Sequence, residues 1–560
     1  MLRKSLPELI VLLLAGILIF YNLGANSMFS QNEAGHALVA REMAESGDWL
    51  TLQYKGEPYF KKSPLKFWLT ATTYTLFGVN EWTARIWSGL FAFGTIVILM
   101  FGGNWLFGPR TGTIAAFVMA TTHQFLYKHC ARTGDLDSSL LFFFTASMLL
   151  LVAAVEGRSH RFLYLSFLTI GLSGLVKHLG AIPELLLITA LYITATGRWR
   201  IFSGRAWLLA FSVSLLVVLP WTLYQLTLHG NEFLSIHFGR ELIQRATEGL
   251  PGSQQSRLGA WFYPNTFKNG MFPWSLLLPF ALWGSVVRVP AEARKRNLSL
   301  LIWIAVIFIV PMFSTGQAFR YILPAYPAVA LLIGLLLNRL GRRPVDTFAY
   351  VSVGIGTLVA LVSTTTALKL NPFKPNQKKV MLKADLFDRL EGSFLDPSTL
   401  GLVIVVGLLG WILWRYRSRV SAQWSISAFL MTVALIQVAP ALRFSTTRLA
   451  IDRAVSATLL TREPDEIVWT VLTSRQSEVT TDEFYVRQLE PRVAHLNSNP
   501  NSIVRRAQDG VSSMLVLTTK KFTQALEKDP WISENASVTR VARSGSFTVV
   551  RVSKKTQAAP

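Results

Sequence analysis

Groups that could do chemistry are concentrated between residues 25 and 68, directly after an apolar segment. Asn32 and Glu33 open a predicted helix with a regular spacing of alanines along one face, and Gly47 ends it. A carboxylate in the first turn of a helix is favoured by the helix dipole whatever its function. Glu33 is nevertheless a candidate catalytic acid–base residue because of the charged groups that follow it.

The second half of this stretch carries two adjacent lysines, Lys61 and Lys62, close after Tyr59 and before Pro64. Lysine ammonium groups can act as point charges for a phosphate. The alternative is that they bind lipid headgroups without specificity. Carboxylate, aromatic and lysine groups together predict chemistry on an anionic lipid.

A second charged run, with Arg132, Asp135 and Asp137, lies between two apolar segments. Charged groups at the edge of a membrane are costly unless they are paired or functional. One aspartate is expected to cap the helix that begins near residue 138. The other remains available for acid–base or positioning work.

A third group of candidates lies in 228–270. Glu241 and Arg245 have the spacing of an ordinary helix salt bridge. His229 and His237 could bind a metal, but they are not closely spaced with carboxylates and are equally well explained as polar surface residues.

Arg320 and Tyr321 open a later apolar segment. They could contact a phosphate, or they could anchor the segment at the membrane interface.

The composition of the chain indicates that these groups belong to a membrane protein. The 560 residues are 51% hydrophobic, and the apolar residues come in blocks near the ~20 residues that cross a bilayer. The net charge of +23 fits basic cytoplasmic loops and anionic headgroups better than nucleic acid, so no nucleic-acid partner is expected. The single cysteine, Cys130, excludes an intramolecular disulfide.

The predicted fold is an all-α polytopic membrane bundle of about thirteen transmembrane helices. The segment 65–78 is too short for a confident crossing and is expected to lie along the membrane surface. The basic loops fall on one side, which places the N-terminus in the cytoplasm and the C-terminus outside. The predicted spans are 8–24, 85–106, 111–129, 138–155, 161–177, 181–196, 206–227, 271–288, 298–314, 321–338, 346–367, 399–414 and 422–441.

Two domains are expected. Residues 1–442 form the membrane domain, and 443–560 are polar with short β-rich runs, which predicts a small external α/β domain. The larger outer loops of the membrane domain are predicted at 25–84, 130–137, 228–270 and 368–398.

The runs NEAGHALVAREMAESGDW and GEPYFKKSPLKFWL resemble the first periplasmic loop of bacterial polyprenyl-phosphate-dependent glycosyltransferases. These include the lipid A aminoarabinose transferases and the protein O-mannosyltransferases, which share the GT-C fold. The runs ARTGDLDSSLLFF, FGRELIQR, NGMFPWSLLLP and FRYILPAYPAVAL follow in the order typical of the family. The resemblance covers nearly all of the membrane part and says little about 443–560.

The resemblance implies an Asp-Glu pair in the first loop, where this chain has Asn32 and Glu33, and an Asp in the second. Lys61 replaces a family glutamate, Lys62 matches a family lysine, and Leu242 stands where the aminoarabinose branch commonly has a histidine. No cofactor is certain. A divalent metal, used by some members, is an open alternative because its ligand types are altered here.

The expected function is therefore transfer of a sugar from an undecaprenyl-phosphate donor to a periplasmic acceptor, which is lipid A, another glycan or a protein hydroxyl. The expected location is the bacterial inner membrane. The alternatives are a polytopic transporter or lipid flippase, and a catalytically degenerate homologue. By role, the candidates are Glu33, Asp135, Asp137 and Asn32 for catalysis; Lys62, Tyr59, Lys61, Arg245, Arg320 and Tyr321 for the donor phosphate; and Arg132 and Glu241 for loop support.

Overall fold

The structure is a computed structural model, and it is predominantly helical in the part that it describes. The described residues are 2–25, 28, 31–177, 180–244, 247, 261–287, 289–314, 316–340, 467–471, 494–496, 513–544 and 547–555. The first ten α-helices are α1 Leu2–Phe20, α2 Gln31–Ser46, α3 Leu65–Phe77, α4 Glu81–Phe107, α5 Thr111–Ala120, α6 His123–Tyr127, α7 Asp137–Gly157, α8 His160–Val176, α9 Ala181–Thr196 and α10 Gly204–Leu234. Further helices are Phe262–Gly270, Leu278–Val286, Ala291–Met312 and Tyr326–Leu340, with 3₁₀ turns at Trp274–Leu277 and Phe319–Ala325.

Five helices in the described part are long and apolar enough to cross a membrane. They are Glu81–Phe107, Asp137–Gly157, Gly204–Glu241, Ala291–Met312 and Phe319–Leu340, and shorter apolar helices lie between them. Every predicted span before residue 341 overlaps one of these helices, so a multi-pass membrane protein is confirmed. The predicted spans 346–367, 399–414 and 422–441 and the loop 368–398 lie outside the described residues.

Local sequence signals explain where several helices begin and end. Asn80 and Thr83 form a capping box at the start of α4, with reciprocal side-chain-to-backbone hydrogen bonds of 3.0 Å each. Helix α2 ends at Gly47, whose φ of +73° is in the left-handed region that favours glycine. The predicted helix after Asn32 is confirmed.

The predicted span 111–129 is wrong as a single helix. Helix α5 ends at Ala120, and α6 begins at His123. The hydroxyl groups of Thr121 and Thr122 donate to carbonyls of the preceding turn, Phe117 O and Val118 O, at 2.8 and 2.7 Å. Back-bonding of this kind slightly destabilises a helix, and α5 ends here with Thr121 as its C-cap residue.

The predicted outer loop 228–270 begins with helical structure, and its position outside the membrane stays a prediction. Helix α10 runs to Leu234 with a kink at Gly230 (φ +53°), and a π-helix follows at Ser235–Gln244. Phe233 packs edge to face on Phe60, with ring centroids 5.6 Å apart. This contact holds the helical extension against the first loop.

The stretch 25–68 contains a small hairpin between α2 and α3. Strand β1 (Gln53–Tyr54) pairs antiparallel with β2 (Glu57–Pro58), and α3 begins directly after Pro64. Helix α3 buries Lys66, Phe67 and Tyr74. The helix predicted at 65–78 is confirmed, and its position at the membrane surface stays a prediction.

The membrane helices pack closely around α4, α5 and α7. At Gly112 a Cβ atom would lie 2.1 Å from the Met100 carbonyl oxygen, so only glycine allows α5 to approach α4 this closely. Trp274 and Trp303 are almost fully buried between the helices. The contacts of these two tryptophans join helices that lie far apart in the sequence.

The described C-terminal segments form a five-stranded sheet. The strands are β3 Ile467–Val471, β4 Ala494–Leu496, β5 Ser513–Thr519, β6 Ala536–Ser544 and β7 Phe547–Lys554, in the order β4-β3-β5-β7-β6. Strand β3 is parallel to β4 and β5, whereas β7 is antiparallel to β5 and β6. Helices Lys520–Glu527 and Pro530–Asn535 lie between β5 and β6 in the chain. The β-rich runs of this part of the sequence are EIVWTVL at 466–472, SSMLVLTT at 512–519 and SFTVVRV at 546–552, and each overlaps a strand.

Candidate active site

Two histidines flank the carboxylate of Asp135 in the turn between α6 and α7. Asp135 is 1% exposed. Its Oδ2 lies 3.0 Å from Nδ1 of His129, and its Oδ1 lies 3.7 Å from Nδ1 of His36 on α2. Burial by itself would raise the pKa of Asp135, but the two histidines outweigh burial and hold that pKa well below its usual range. Asp135 is therefore an ionised carboxylate in a buried setting.

Glu33 is fully buried and joins three segments of the chain. Its Oε1 accepts a hydrogen bond of 2.6 Å from Nε of Arg85, on α4, and one of 2.8 Å from the backbone N–H of Gly134. Arg85 is also fully buried and donates to the Leu23 carbonyl at 3.2 Å. Glu33 thus fixes the turn that carries Asp135, and this geometry favours a structural role for it.

Asp137 pairs with a lysine from a different helix. Its Oδ1 accepts from Nζ of Lys177 at 2.7 Å, and both side chains are buried. The N-cap residue of α7 is Leu136, which makes no side-chain capping bond. The expectation that Asp135 or Asp137 caps this helix is therefore wrong. Asp137 lies in the first turn instead, where the helix dipole favours an anion.

Lys62 and Glu241 form a buried ion pair between the first loop and the π-helix. Nζ of Lys62 donates to Oε2 of Glu241 at 2.6 Å across 179 residues of chain. The expected partner of Glu241, Arg245, lies outside the described residues. Next to this pair, Nδ1 of His237 donates to the Phe60 carbonyl at 2.8 Å. Two contacts thus hold the run Phe60–Lys62 against the π-helix.

Lys66 and Tyr59 complete the first-loop side of the site. Lys66 is 2% exposed, and burial lowers the pKa of its amine to about 7, although the Asp135 and Glu33 carboxylates oppose the shift. Its Nζ donates to the Thr70 hydroxyl at 3.4 Å. Tyr59 is half-buried and meets Phe67 edge to face at 6.2 Å.

The other predicted residues divide by exposure. Asn32 and Lys61 are exposed, whereas Arg320 and Tyr321 are half-buried in the 3₁₀ turn at Phe319–Ala325. The charge of Arg320 acts on both His36 and His129. Arg320 therefore lies beside Asp135 and its two flanking histidines, which together form the Asp135 cluster.

Arg132, which precedes Asp135 in the turn between α6 and α7, contacts the end of α1. Its guanidinium donates to the carbonyls of Leu18 and Ile19 at 2.8 and 3.1 Å, in the last turn of α1. Such contacts satisfy carbonyls that have no partner within the helix. Arg132 thus joins the turn that carries Asp135 to the end of α1, and its role in loop support stays a prediction.

Sequence reasoning missed five residues that make these contacts. They are His36, Lys66, Arg85, His129 and Lys177. Two of them had a local signal, since His36 lies one helical turn after Glu33 and His129 lies in the same short run as Asp135. The partners of Glu33 and Asp137 are distant in sequence and had none.

The described residues fit a metal ion poorly. They contain no group of three or more histidine, cysteine or acidic side chains arranged to hold one. At the positions where the resemblance implies metal ligands, this chain has Lys61 and Leu242. The carboxylates of Glu33, Asp137 and Glu241 are paired with arginine or lysine instead.

Comparisons with known proteins find a matching family model and several similar sequences. Residues 61–224 match the family model described as dolichyl-phosphate-mannose-protein mannosyltransferase. A protein of Aquifex aeolicus is 29% identical over 387 residues, 66% of this chain and 70% of that protein. The undecaprenyl phosphate-alpha-4-amino-4-deoxy-L-arabinose arabinosyl transferase of Edwardsiella ictaluri is 24% identical, over 60% of this chain and 61% of that enzyme.

The fold matches a solved structure over almost its full length. The crystal structure of ArnT from Cupriavidus metallidurans bound to undecaprenyl phosphate has a TM-score of 0.73 at 22% identity, covering 98% of each chain. The fold is that of ArnT, and the sequence matches make the chain similar to membrane glycosyltransferases of the GT-C fold. Within that class, the chain is similar to the aminoarabinose transferases and the protein mannosyltransferases, as the sequence motifs indicate.

Proposed function

We propose that the protein transfers a sugar from undecaprenyl phosphate to a hydroxyl acceptor at the Asp135 cluster. The observation that carries this proposal is the convergence of buried, paired charges from four distant segments beside apolar helices. Buried charges are costly at a membrane and mark functional sites. The transporter alternative loses its basis because the relatives with assigned activities are glycosyltransferases.

The phosphate of the donor is proposed to bind between Lys62 and Arg320. Both act electrostatically on His36, so their charges face the same small region. A lysine ammonium has three donors, and the bond to Glu241 fixes the direction of one of them. Cations in this position stabilise the charge that develops on the departing phosphate.

The sugar is proposed to be uncharged. The Asp135 carboxylate lies between two histidines, and the other described carboxylates of the site, Glu33, Asp137 and Glu241, have cationic partners. Lys62 and Arg320 add positive charge. An ammonium sugar would thus meet like charges, whereas the carboxylates of Glu33, Asp137 and Glu241 are already paired with lysine or arginine.

Donor competition tests the charge of the sugar. With equal concentrations of undecaprenyl-phosphate hexose and undecaprenyl-phosphate 4-amino-4-deoxyarabinose, we expect the neutral donor to be used about tenfold or more in preference, because like charges a few ångströms apart repel strongly at low dielectric. Mass spectrometry of the residual donors measures this. Preferential use of the amino sugar would overturn the assignment.

The site is proposed to face the periplasm from the bacterial inner membrane, with the N-terminus cytoplasmic. The short basic loops after α7, α9 and Leu278–Val286 support this orientation by the positive-inside rule. Residues 1–442 are proposed as the catalytic membrane domain and 443–560 as a periplasmic α/β domain. The mixed sheet at 467–555 supports the second part. Lipid A, another glycan and a protein hydroxyl remain the candidate acceptors.

The experiment that tests the function uses purified protein in liposomes with labelled undecaprenyl-phosphate sugars and candidate acceptors. We expect release of undecaprenyl phosphate and labelling of an acceptor. Movement of intact donor across the bilayer would support the flippase alternative. If the folded wild type consumes none of the donors, the degenerate-homologue alternative is favoured.

Lys62 and Lys61 provide a matched pair of variants in the same assay. Lys62→Met removes a buried ammonium and is expected to weaken donor binding about tenfold or more, since a hydrogen bond to a charged group contributes about 1.5–3 kcal/mol. Lys61→Met changes the exposed neighbour and is expected to match wild type. Donor KM and stabilisation by undecaprenyl phosphate measure the effect. Equal donor affinity in the two variants would exclude Lys62 from the phosphate site.

A further inference from the structure

We propose that His129 is the general base that accepts the proton of the acceptor hydroxyl, and that Asp135 positions it. This inference rests on the proposed function. Nδ1 of His129 lies 3.0 Å from Oδ2 of Asp135. This is an ion-pair distance, and a carboxylate beside one ring nitrogen favours the neutral tautomer with its proton on that nitrogen and a lone pair on the other. The arrangement is a base oriented by a third group, as nucleophile activation requires.

Exposure distinguishes the two partners. The His129 side chain is 19% exposed and that of Asp135 is 2% exposed. The histidine is therefore the member of the pair that a substrate can reach, and the carboxylate is enclosed behind it. The Ser88 hydroxyl, donating to the Asp135 backbone carbonyl at 3.1 Å, and the Glu33–Gly134 hydrogen bond hold this turn in place.

The backbone at His129 is unusual. Its φ of +57° is in the left-handed region, which residues other than glycine rarely adopt. Backbone hydrogen bonds on both sides fix this conformation: Lys128 N–H donates to Gln124 O at 3.1 Å, and Ala131 N–H donates to Phe125 O at 2.9 Å. Residues held in such conformations cluster at active sites, where the surrounding structure over-determines them.

Packing and charge fix the ring as well. The imidazole packs on Phe319 with centroids 5.2 Å apart. Burial lowers the pKa of His129, but Asp135, helped by the charge of Asp137, outweighs burial and the opposing charge of Arg320, so that the pKa is raised. A raised pKa makes the neutral imidazole a stronger proton acceptor.

His36 is less suited to this role. Its Nδ1 is 3.7 Å from Asp135 Oδ1, beyond hydrogen-bonding distance. Burial, with contributions from Lys62 and Arg320 and against those of Asp135 and Asp137, lowers the pKa of His36 to about 4. At neutral pH it is an uncharged and weakly basic neighbour of Asp135.

The proposed step balances as a substitution at the anomeric carbon. The acceptor oxygen forms a bond to that carbon while the bond from the carbon to the phosphate oxygen breaks, and its electron pair leaves with undecaprenyl phosphate. The acceptor proton moves to Nε2 of His129. Asp135 stabilises the resulting imidazolium, which later returns the proton to water.

The test uses the full-length enzyme with His129→Gly, because glycine adopts a positive φ without strain. We expect kcat to fall about 10²–10⁴-fold and added imidazole to restore part of it, with donor binding retained. In wild type, kcat/KM is expected to rise with pH through the pKa of His129, and the variant should lack this acidic limb. His123→Ala is the matched control, because His123 lies in α6, the helix before His129, and packs on Tyr127 within that helix.

The outcomes separate this inference from the proposed function. Wild type that transfers sugar, together with a His129→Gly enzyme that keeps both its rate and the acidic limb, would overturn the role of His129 alone. If the glycine variant does not fold, His129→Asn, which also tolerates positive φ, takes its place in the pH profile. Wild type that consumes no donor contradicts the proposed function itself.

Discussion

Replacing Asp135 by asparagine is expected to lower kcat for sugar transfer by about 10²–10⁴-fold, the range for loss of acid–base catalysis. The amide keeps the size of the side chain but removes the charge that orients His129 and stabilises its protonated form. Because that charge raises the pKa of His129, the acidic limb of the pH profile should move to lower pH. Donor KM should change little, since the proposed phosphate ligands are elsewhere.

Glu57→Gln is the matched control for this variant. Glu57 is an exposed carboxylate in the hairpin between α2 and α3, so its neutralisation should leave kcat and the pH profile unchanged. A wild-type rate in the Asp135→Asn enzyme, measured by release of labelled acceptor product, would contradict the role assigned to this carboxylate.

The second large effect is expected at Glu33, and it concerns stability. Glu33→Gln leaves the fully buried guanidinium of Arg85 without its 2.6 Å anionic partner. Removing one member of a buried ion pair typically costs about 3–5 kcal/mol of folding free energy. The variant is therefore expected to melt at a lower temperature and to be poorly active because the turn carrying Asp135 is no longer held.

A double variant separates structural from chemical loss at this position. Glu33→Gln combined with Arg85→Met removes both charges and should recover part of the lost stability. Glu45→Gln, at an exposed carboxylate of the same helix, is the control. If Glu33→Gln instead melts like wild type and binds donor but fails to transfer, Glu33 would have the catalytic role that the sequence suggested.

Sequence patterns predicted the helices well because hydrophobic periodicity and length report directly on burial. Helix α2 opens at Gln31, next to Asn32, and ends where Gly47 indicated. The error at 111–129 fell at Thr121 and Thr122, where the backbone leaves the helix between α5 and α6. Hydrophobic composition alone does not report such a break.

For the candidate site too, the sequence and the tertiary structure contribute different information. The sequence by itself determined which loops bring charge to the candidate site, since Glu33, Lys62, Asp135 and Arg320 were all named from charge beside apolar spans. Only the tertiary structure decided how these groups are used, because each charge is defined by a partner far along the chain: Arg85 for Glu33, Lys177 for Asp137 and Glu241 for Lys62. The cost of burying a charge depends on that partner, and a sequence without its folded contacts does not specify it.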